Sequence, residues 1–144
     1  MGTSHRLFAL SLGIAALFAS GIASAQGAPP VVVKPIASST TTASGQPIHF
    51  PPGDARVTFS EYVIAPGARL PAHKHPYPRF AYVLAGTLSV TVEATAQTFT
   101  YKPGDAIIEV IDQWHFAVND GPEAVRLLVV DTLPDGAAST IIKK

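Results

Sequence analysis

Residues 67–79 read Gly67-Ala68-Arg69-Leu70-Pro71-Ala72-His73-Lys74-His75-Pro76-Tyr77-Pro78-Arg79. Side chains of an extended strand alternate between its faces, so His73 and His75 project from the same side and both imidazoles can reach one metal ion. Pro76 and Pro78 stiffen the link from this pair to Arg79, which lowers the entropy lost in holding those side chains in place. A histidine pair alone is weak evidence, because two histidines on a solvated strand face arise by chance.

Its surroundings make it specific. Going outward, Gly67 is followed by five residues, His73, one residue, His75, three residues, Arg79, six residues and Gly86. A second segment reads Gly104, ten residues, His115, three residues, Asn119. Between and beyond these lie short runs of alternating character bounded by turn residues, the pattern of a sandwich or barrel. The expected strands are Arg56 to Ala65, the histidine segment, Phe80 to Leu84, a hairpin of Thr87 to Glu93 with Gln97 to Tyr101, then Ala106 to Ile111, Trp114 to Val118 and Ala124 to Asp131. Lys102-Pro103-Gly104-Asp105 is a turn, with proline where φ is pre-set and glycine where it can turn positive. After the N-terminal leader no window of ten residues favours a 3.6-residue apolar period, so no helix is expected.

The two segments resemble the signature motifs of the cupin superfamily over about residues 46 to 133. The resemblance implies an all-β, single-domain jelly-roll barrel in which three histidines and a glutamate hold a divalent metal. His73, His75 and His115 match the histidines, and Asn119 matches the terminal asparagine, whose simplest task is to support the turn at Asp120-Gly121. This sequence departs from the pattern in two places. Arg79 stands where the glutamate is expected, and Val110 and Asp112 replace a proline and a glycine in the second motif. A guanidinium in place of a carboxylate repels the ion: at about 6 Å and an effective dielectric near 20, one unit charge against another is worth roughly 3 kcal/mol, doubled for a divalent ion. Glu109, six residues before His115, is the candidate compensator. Either it is the fourth ligand, or it pairs with Arg79; the bland alternative leaves Arg79 reaching solvent and Glu109 on the surface.

Three imidazoles suit Fe, Mn, Zn, Ni or Cu and leave coordination positions open. The expected metal set is His73, His75, His115 and Glu109, with Arg79 and Glu109 as the residues able to orient or deprotonate a substrate. Tyr77, Phe80, Tyr82, Trp114 and Phe116 flank the ligands and are expected to line the cavity. His49, beside Pro51-Pro52, is an ordinary edge residue. The acidic residues Asp54, Asp105, Asp112, Asp120, Asp131 and Asp135 fall in or beside expected turns, where such side chains cap backbone groups. Ser60, Ser89 and Ser139 lack a nucleophile elbow, and no glycine-rich phosphate loop precedes a helix.

The N-terminus carries His5 and Arg6, an apolar run from Leu7 to Phe18, and Ala23-Ser24-Ala25 before Gln26. That is a secretory signal peptide over residues 1–25, with an apolar run too short to span a bilayer comfortably, and it implies a secreted or periplasmic protein. Residues 26–45, rich in Ala, Pro, Ser and Thr, read as a flexible arm before a barrel domain over 46–144. Val31 to Ile36 can add an edge strand or cross to a second subunit, and the resemblance implies pairing into a homodimer. With 144 residues, 47% hydrophobic, the chain suits one domain with a real core. It contains no cysteine, hence no disulfide and no thiolate chemistry. Removing Arg6 from ten basic residues leaves nine against ten acidic ones. So balanced a surface argues against nucleic acid and against stable membrane association once the signal is gone. A small-molecule ligand or substrate is the expected partner. By resemblance the activity is that of a metal-dependent dioxygenase, isomerase or decarboxylase; the alternative is a non-catalytic binding protein whose metal site is weakened or lost.

Overall fold

The computed structural model describes residues 30–144, of which Lys34–Lys144 form one compact unit. The expected signal peptide lies outside the described residues. Nine strands follow in order: β1 (Ala55–Ile64), β2 (Arg69–Lys74), β3 (Arg79–Ala85), β4 (Leu88–Val92), β5 (Thr98–Tyr101), β6 (Ala106–Ile108), β7 (His115–Val118), β8 (Val125–Pro134) and β9 (Ile141–Ile142). They build two antiparallel sheets ordered β1-β8-β3-β6 and β5-β4-β7-β2-β9. Among the described residues there is no helix, and so none long and apolar enough to cross a membrane. The all-β jelly-roll expectation holds. β6 stops at Ile108, short of the expected Ile111, and β9 was not expected at all.

Period two decides what each strand buries. β8 alternates without a break, with Val125, Leu127, Val129, Asp131 and Leu133 inside. β3 buries Arg79, Ala81 and Val83, and β4 buries Leu88, Val90 and Val92. The inner faces meet in one core that includes Ile64, Val83, Val90, Ala117, Val125 and Val129. Each large aliphatic side chain buried there contributes roughly 1.5–3 kcal/mol of transfer free energy. The connections obey the turn chemistry of the sequence. Gly86 has φ +72°, and a Cβ there would lie 2.8 Å from the Ala124 carbonyl oxygen and 2.8 Å from the Val125 Cα, so only glycine lets β3 turn into β4 beside β8. Asp112 has φ +53° and stands where the motif has glycine, a position an Asx side chain tolerates better than most.

Residues 41–47, which straddle the expected boundary between arm and barrel, form a tight turn joined by a Thr41–Pro47 bridge. The Ala43 amide donates to the Ile108 carbonyl, and Gln46 exchanges hydrogen bonds with the backbone of Ile111. This turn therefore closes over the end of β6, next to the functional site. Val31 to Ile36 form no strand and are exposed.

Candidate metal centre

β2 and β7 pair antiparallel with His73 opposite His115, after a one-residue register shift between Leu70 and His73. That cross-strand pair puts two rings on the inner face, 4.4 Å apart at their centroids. His75, two residues on, keeps the parity of His73 and packs 4.9 Å from it and 5.0 Å from His115. All three are buried, and their ligand nitrogens lie within 4.8 Å of one another, a group able to hold a metal ion.

Hydrogen bonds orient the rings. Each Nδ1 meets a carbonyl oxygen: His73 with Pro71 at 2.7 Å, His115 with Gln113 at 2.8 Å and His75 with Ser139 at 2.9 Å. A carbonyl only accepts, so the proton sits on Nδ1 and the Nε2 lone pair of each neutral ring is left for the interior. Second partners of this kind fix the tautomer and raise the basicity of metal-ligating histidines. His115 Nε2 is buried with no hydrogen-bond partner, an orphaned atom that a bound cation would satisfy.

Glu109 follows β6 directly. Its Oε2 lies 3.3 Å from His115 Nε2 and 3.5 Å from His75 Nε2, although the mutually close trio consists of histidines alone. Two donors each about 2.1 Å from one ion at a tetrahedral angle stand about 3.4 Å apart, so these separations fit a carboxylate sharing an ion with two imidazoles. Burial works to raise the Glu109 carboxyl, but the close approach and charges of His115 and His75 outweigh it and hold the group well below the usual carboxylate range. His115 is the reciprocal case: burial lowers it, and Glu109 more than reverses that. His73 is lowered to about 4, chiefly by burial, with the charges of His115 and His75 adding to the effect, so its ring is neutral at pH 7.

Arg79 does not reach solvent. Its side chain is 4% exposed and is paired with Asp131, Nε to Oδ1 at 2.7 Å and Nη2 to Oδ2 at 3.3 Å. The two residues are direct cross-strand partners of β3 and β8, both on the inner face. Asp131 is thus a buried counter-ion and not the turn residue expected from sequence. The missed signal was parity, since it continues the inward series Val125, Leu127, Val129. Burial works against the Arg79 charge, but the Asp131 hydrogen bonds, with the charges of Glu109 and Asp131, leave it raised above its ordinary value. The remaining donors reach Thr140 Oγ1 at 3.1 Å and His75 Nε2 at 3.3 Å. Asn119 carries out the task expected of it: its side chain donates to the carbonyls of Ile64 and Glu123 and accepts from the Gly121 amide.

The expected aromatic lining is absent. The hollow beside the histidines, bounded also by Tyr62, Leu70, Arg79 and Glu109, measures about 20 Å³, space for one water-sized molecule. Tyr77, Phe80, Tyr82, Trp114 and Phe116 do not face it. Parity again supplies the reason: once His115 and Arg79 point inward, Trp114 and Phe116, and Phe80 and Tyr82, must point outward. Phe116 carries the Arg69 guanidinium 3.7 Å above its ring, and Trp114 has the Lys74 ammonium 5.1 Å away. Larger hollows lie at the surface, one of about 510 Å³ reaching Gln46, His49, Phe50, Pro76 and Tyr77. His49 borders that surface cleft and is not part of the histidine trio.

The family model described as "Cupin domain" matches residues 60–131. No curated protein matches the chain. Among solved structures, an uncharacterized protein with a double-stranded β-helix domain from Klebsiella pneumoniae is 24% identical with a TM-score of 0.50, over 60% of this chain and 69% of that one. An oxalate decarboxylase from Lactobacillus farciminis, solved as a formate complex, is 27% identical with a TM-score of 0.50, over 60% of this chain but only 26% of its own length. A DMSP lyase from Ruegeria pomeroyi, 18% identical with a TM-score of 0.52, covers 60% of this chain and 43% of that one and shares the fold alone.

Proposed function

Because the chain belongs to the cupin family, whose domain takes in residues 60–131, we propose that it holds a divalent metal through His73, His75, His115 and Glu109 and takes a small carboxylate as its ligand. The observation carrying this reading is the convergence of three buried imidazoles whose Nδ1 atoms are all committed to carbonyls. Neutral nitrogens with one carboxylate suit Fe, Mn, Zn, Ni or Cu. Such an ion supplies Lewis acidity toward a carboxyl or carbonyl oxygen. Glu109, kept ionised by its neighbours, balances one of the two positive charges. Arg79 repels the ion less than an isolated guanidinium would, since Asp131 neutralises it at 2.7 Å. Its Nη1, 3.3 Å from His75 Nε2, is placed to donate to an anionic group beside the histidines.

The substrate class follows from size and charge. A hollow of about 20 Å³ admits something close to a water molecule, far below the 300–1,000 Å³ typical of drug-sized ligands. Formate, the ligand named for the oxalate decarboxylase structure, is the smallest carboxylate and the member of that class nearest to this size. In such an enzyme Arg79 orients the carboxylate while Glu109, held ionised, stays with the ion as a ligand and is too weak a base to take a proton; this is the decarboxylase variant of the activities that the family spans. The second reading, binding without catalysis, is favoured by the full set of partners that Arg79 already has.

Metal analysis of protein beginning at Gln26 tests the centre, alongside His73→Ala, His75→Ala, His115→Ala and Glu109→Gln. The parent should hold about one equivalent and each histidine variant far less. Equal metal content in the parent and the three histidine variants refutes the ligand assignment. Unchanged stoichiometry and affinity in Glu109→Gln removes the fourth ligand alone.

Export through the Leu7–Phe18 run and the Ala23–Ala25 site is tested by N-terminal sequencing of protein from the cell envelope, with Met1 retained as the refuting result. A homodimer through the outer face of the β1 sheet is supported by exposed Val57, Phe59 and Val63 on an edge strand, with Leu84 and Leu128 alongside. Light scattering decides it.

A further inference from the structure

Residues 132–144 lie beyond the matched cupin domain, yet they reach the histidine pair from behind. β9 adds to the edge of β2, pairing Ile142 with His73 and Ile141 with Lys74. The Lys143 amide donates to the Ala72 carbonyl at 2.9 Å. At the inner end of this segment the Ser139 carbonyl accepts from His75 Nδ1 at 2.9 Å, and Thr140 Oγ1 lies 3.1 Å from Arg79 Nη2 and 3.4 Å from His75 Nδ1.

His75 differs here from its two neighbours. His73 and His115 are oriented by the carbonyl two residues before them, Pro71 and Gln113, so the local course of their own strands suffices. The acceptor for His75 is 64 residues away in sequence. Without it the Nδ1 proton has no backbone acceptor, and nothing fixes the angle at which the Nε2 of this ring faces the trio. Arg79 sharpens the point. Its Nη1 is 3.3 Å from His75 Nε2, and a guanidinium only donates, so it competes for the lone pair that an ion needs. The Thr140 hydroxyl and Asp131 are the acceptors that draw the guanidinium the other way.

We propose that Ser139–Lys143 is a strap belonging to the metal centre: Ser139 fixes the ring of His75 through Nδ1 and Thr140 shares the Arg79 guanidinium with that ring, limiting its hold on the ligating nitrogen, so metal affinity depends on the strap being seated. The proposal rests on the metal-binding reading above. Seating is a local event. Ile141 and Ile142 remain 41% and 53% exposed, so the strap is held by backbone pairing and by the Lys143–Glu93 ion pair beside Trp114, with little apolar burial. Segments with few buried contacts open at a fraction of the global unfolding free energy. Thr140 and Ser139 are positioning residues, acting through His75 and Arg79.

The experiment compares the full chain with Thr140→Val, Thr140→Ser and a chain ending at Ala138, using Co(II) as the probe and nitrogen-15 NMR of the metal-free histidines as a second readout. Loss of the strap should raise the Co(II) Kd about 10- to 100-fold, the range for removing a partner of a ligating histidine. Thr140→Val should raise it several-fold and Thr140→Ser should stay within about twofold, because serine keeps the acceptor. In the metal-free protein the His75 Nδ1 proton should lose its protection from solvent exchange when the strap is removed, while that of His73 is unchanged. A full chain that binds no Co(II) refutes the metal reading, and the protection of the His75 Nδ1 proton then decides the strap by itself. If circular dichroism shows the truncated chain unfolded, the valine and serine variants decide: equal affinity in both overturns the proposal, as does a folded truncated chain matching the full one in both measurements.

Discussion

Asp131→Ala isolates a buried charge. Arg79 and Asp131 are 4% and 10% exposed at their side chains and joined by contacts of 2.7 and 3.3 Å. After the substitution the guanidinium keeps Thr140 and His75 as acceptors but has no counter-charge among its hydrogen-bond partners. Breaking a buried pair from one side costs about 3–5 kcal/mol, a large part of the roughly 5–15 kcal/mol by which such domains are stable. Removing both charges together is a different perturbation. In Arg79→Met with Asp131→Leu, apolar atoms take the place of the pair, and replacements of this kind are neutral or stabilising by up to about 4 kcal/mol. Urea unfolding of metal-free protein, followed by Trp114 fluorescence, should therefore rank the double variant near or above the parent and Asp131→Ala far below both. The m-values should agree, which shows that stability changed and not the extent of unfolding. The same single variant should bind metal more weakly, since at about 6 Å and a dielectric near 20 an uncompensated charge opposes a divalent ion by roughly 6 kcal/mol. A loss below about 1 kcal/mol for Asp131→Ala, or a double variant as unstable as the single one, refutes the reasoning.

Other consequences are smaller and as open to test. His73 is lowered to about 4 from 6.5, chiefly by burial. Between those values the unfolded chain binds a proton that the folded one does not, so stability falls as pH drops from about 6.5 to 4, by about 3 kcal/mol in metal-free protein. His73→Gln should remove that difference, and parallel pH–stability curves for parent and variant would rule the shift out. Gly86→Ala places a Cβ 2.8 Å from backbone at φ +72° and should cost roughly 2–4 kcal/mol in thermal or urea unfolding; an unchanged midpoint contradicts the close approach. Asp112→Gly relieves a left-handed residue but loses the half-exposed pair with Lys74, so stability should move by no more than about 1 kcal/mol with metal content unchanged. A large loss would mean that Asp112 does more than tolerate its turn.

Much of the barrel was legible because alternation is a local property. The spacing of His73 and His75, the inward parity of Val125 to Val129 and the turn at Lys102–Asp105 are each set by the chain within a few residues, and the strands formed where those patterns lay. Proximity in sequence pointed the aromatic residues at the site; parity turns Phe80, Tyr82, Trp114 and Phe116 away from it, and Tyr77 lies in the link between β2 and β3. Tyr77, Phe80, Tyr82, Trp114 and Phe116 are near the ligands along the chain and outside the hollow they make. Asp131 was misread for a related reason: its place at the end of an expected strand suggested a cap, while its parity put it in the core.

From residue order came the alternating strands, and from its resemblance to the cupin motifs came the expected convergence of His73, His75 and His115 and the anomaly of a guanidinium where a carboxylate belongs. Tertiary structure decided whom that guanidinium meets. Arg79 faces Asp131, 52 residues away, because the register of β3 against β8 sets them opposite each other. It likewise brought Glu109 to the histidines and laid Ser139–Lys143 along β2. Periodicity fixes which way a side chain points, whereas its partner depends on cross-strand register, a sum of packing across the whole sheet that no short window of sequence contains.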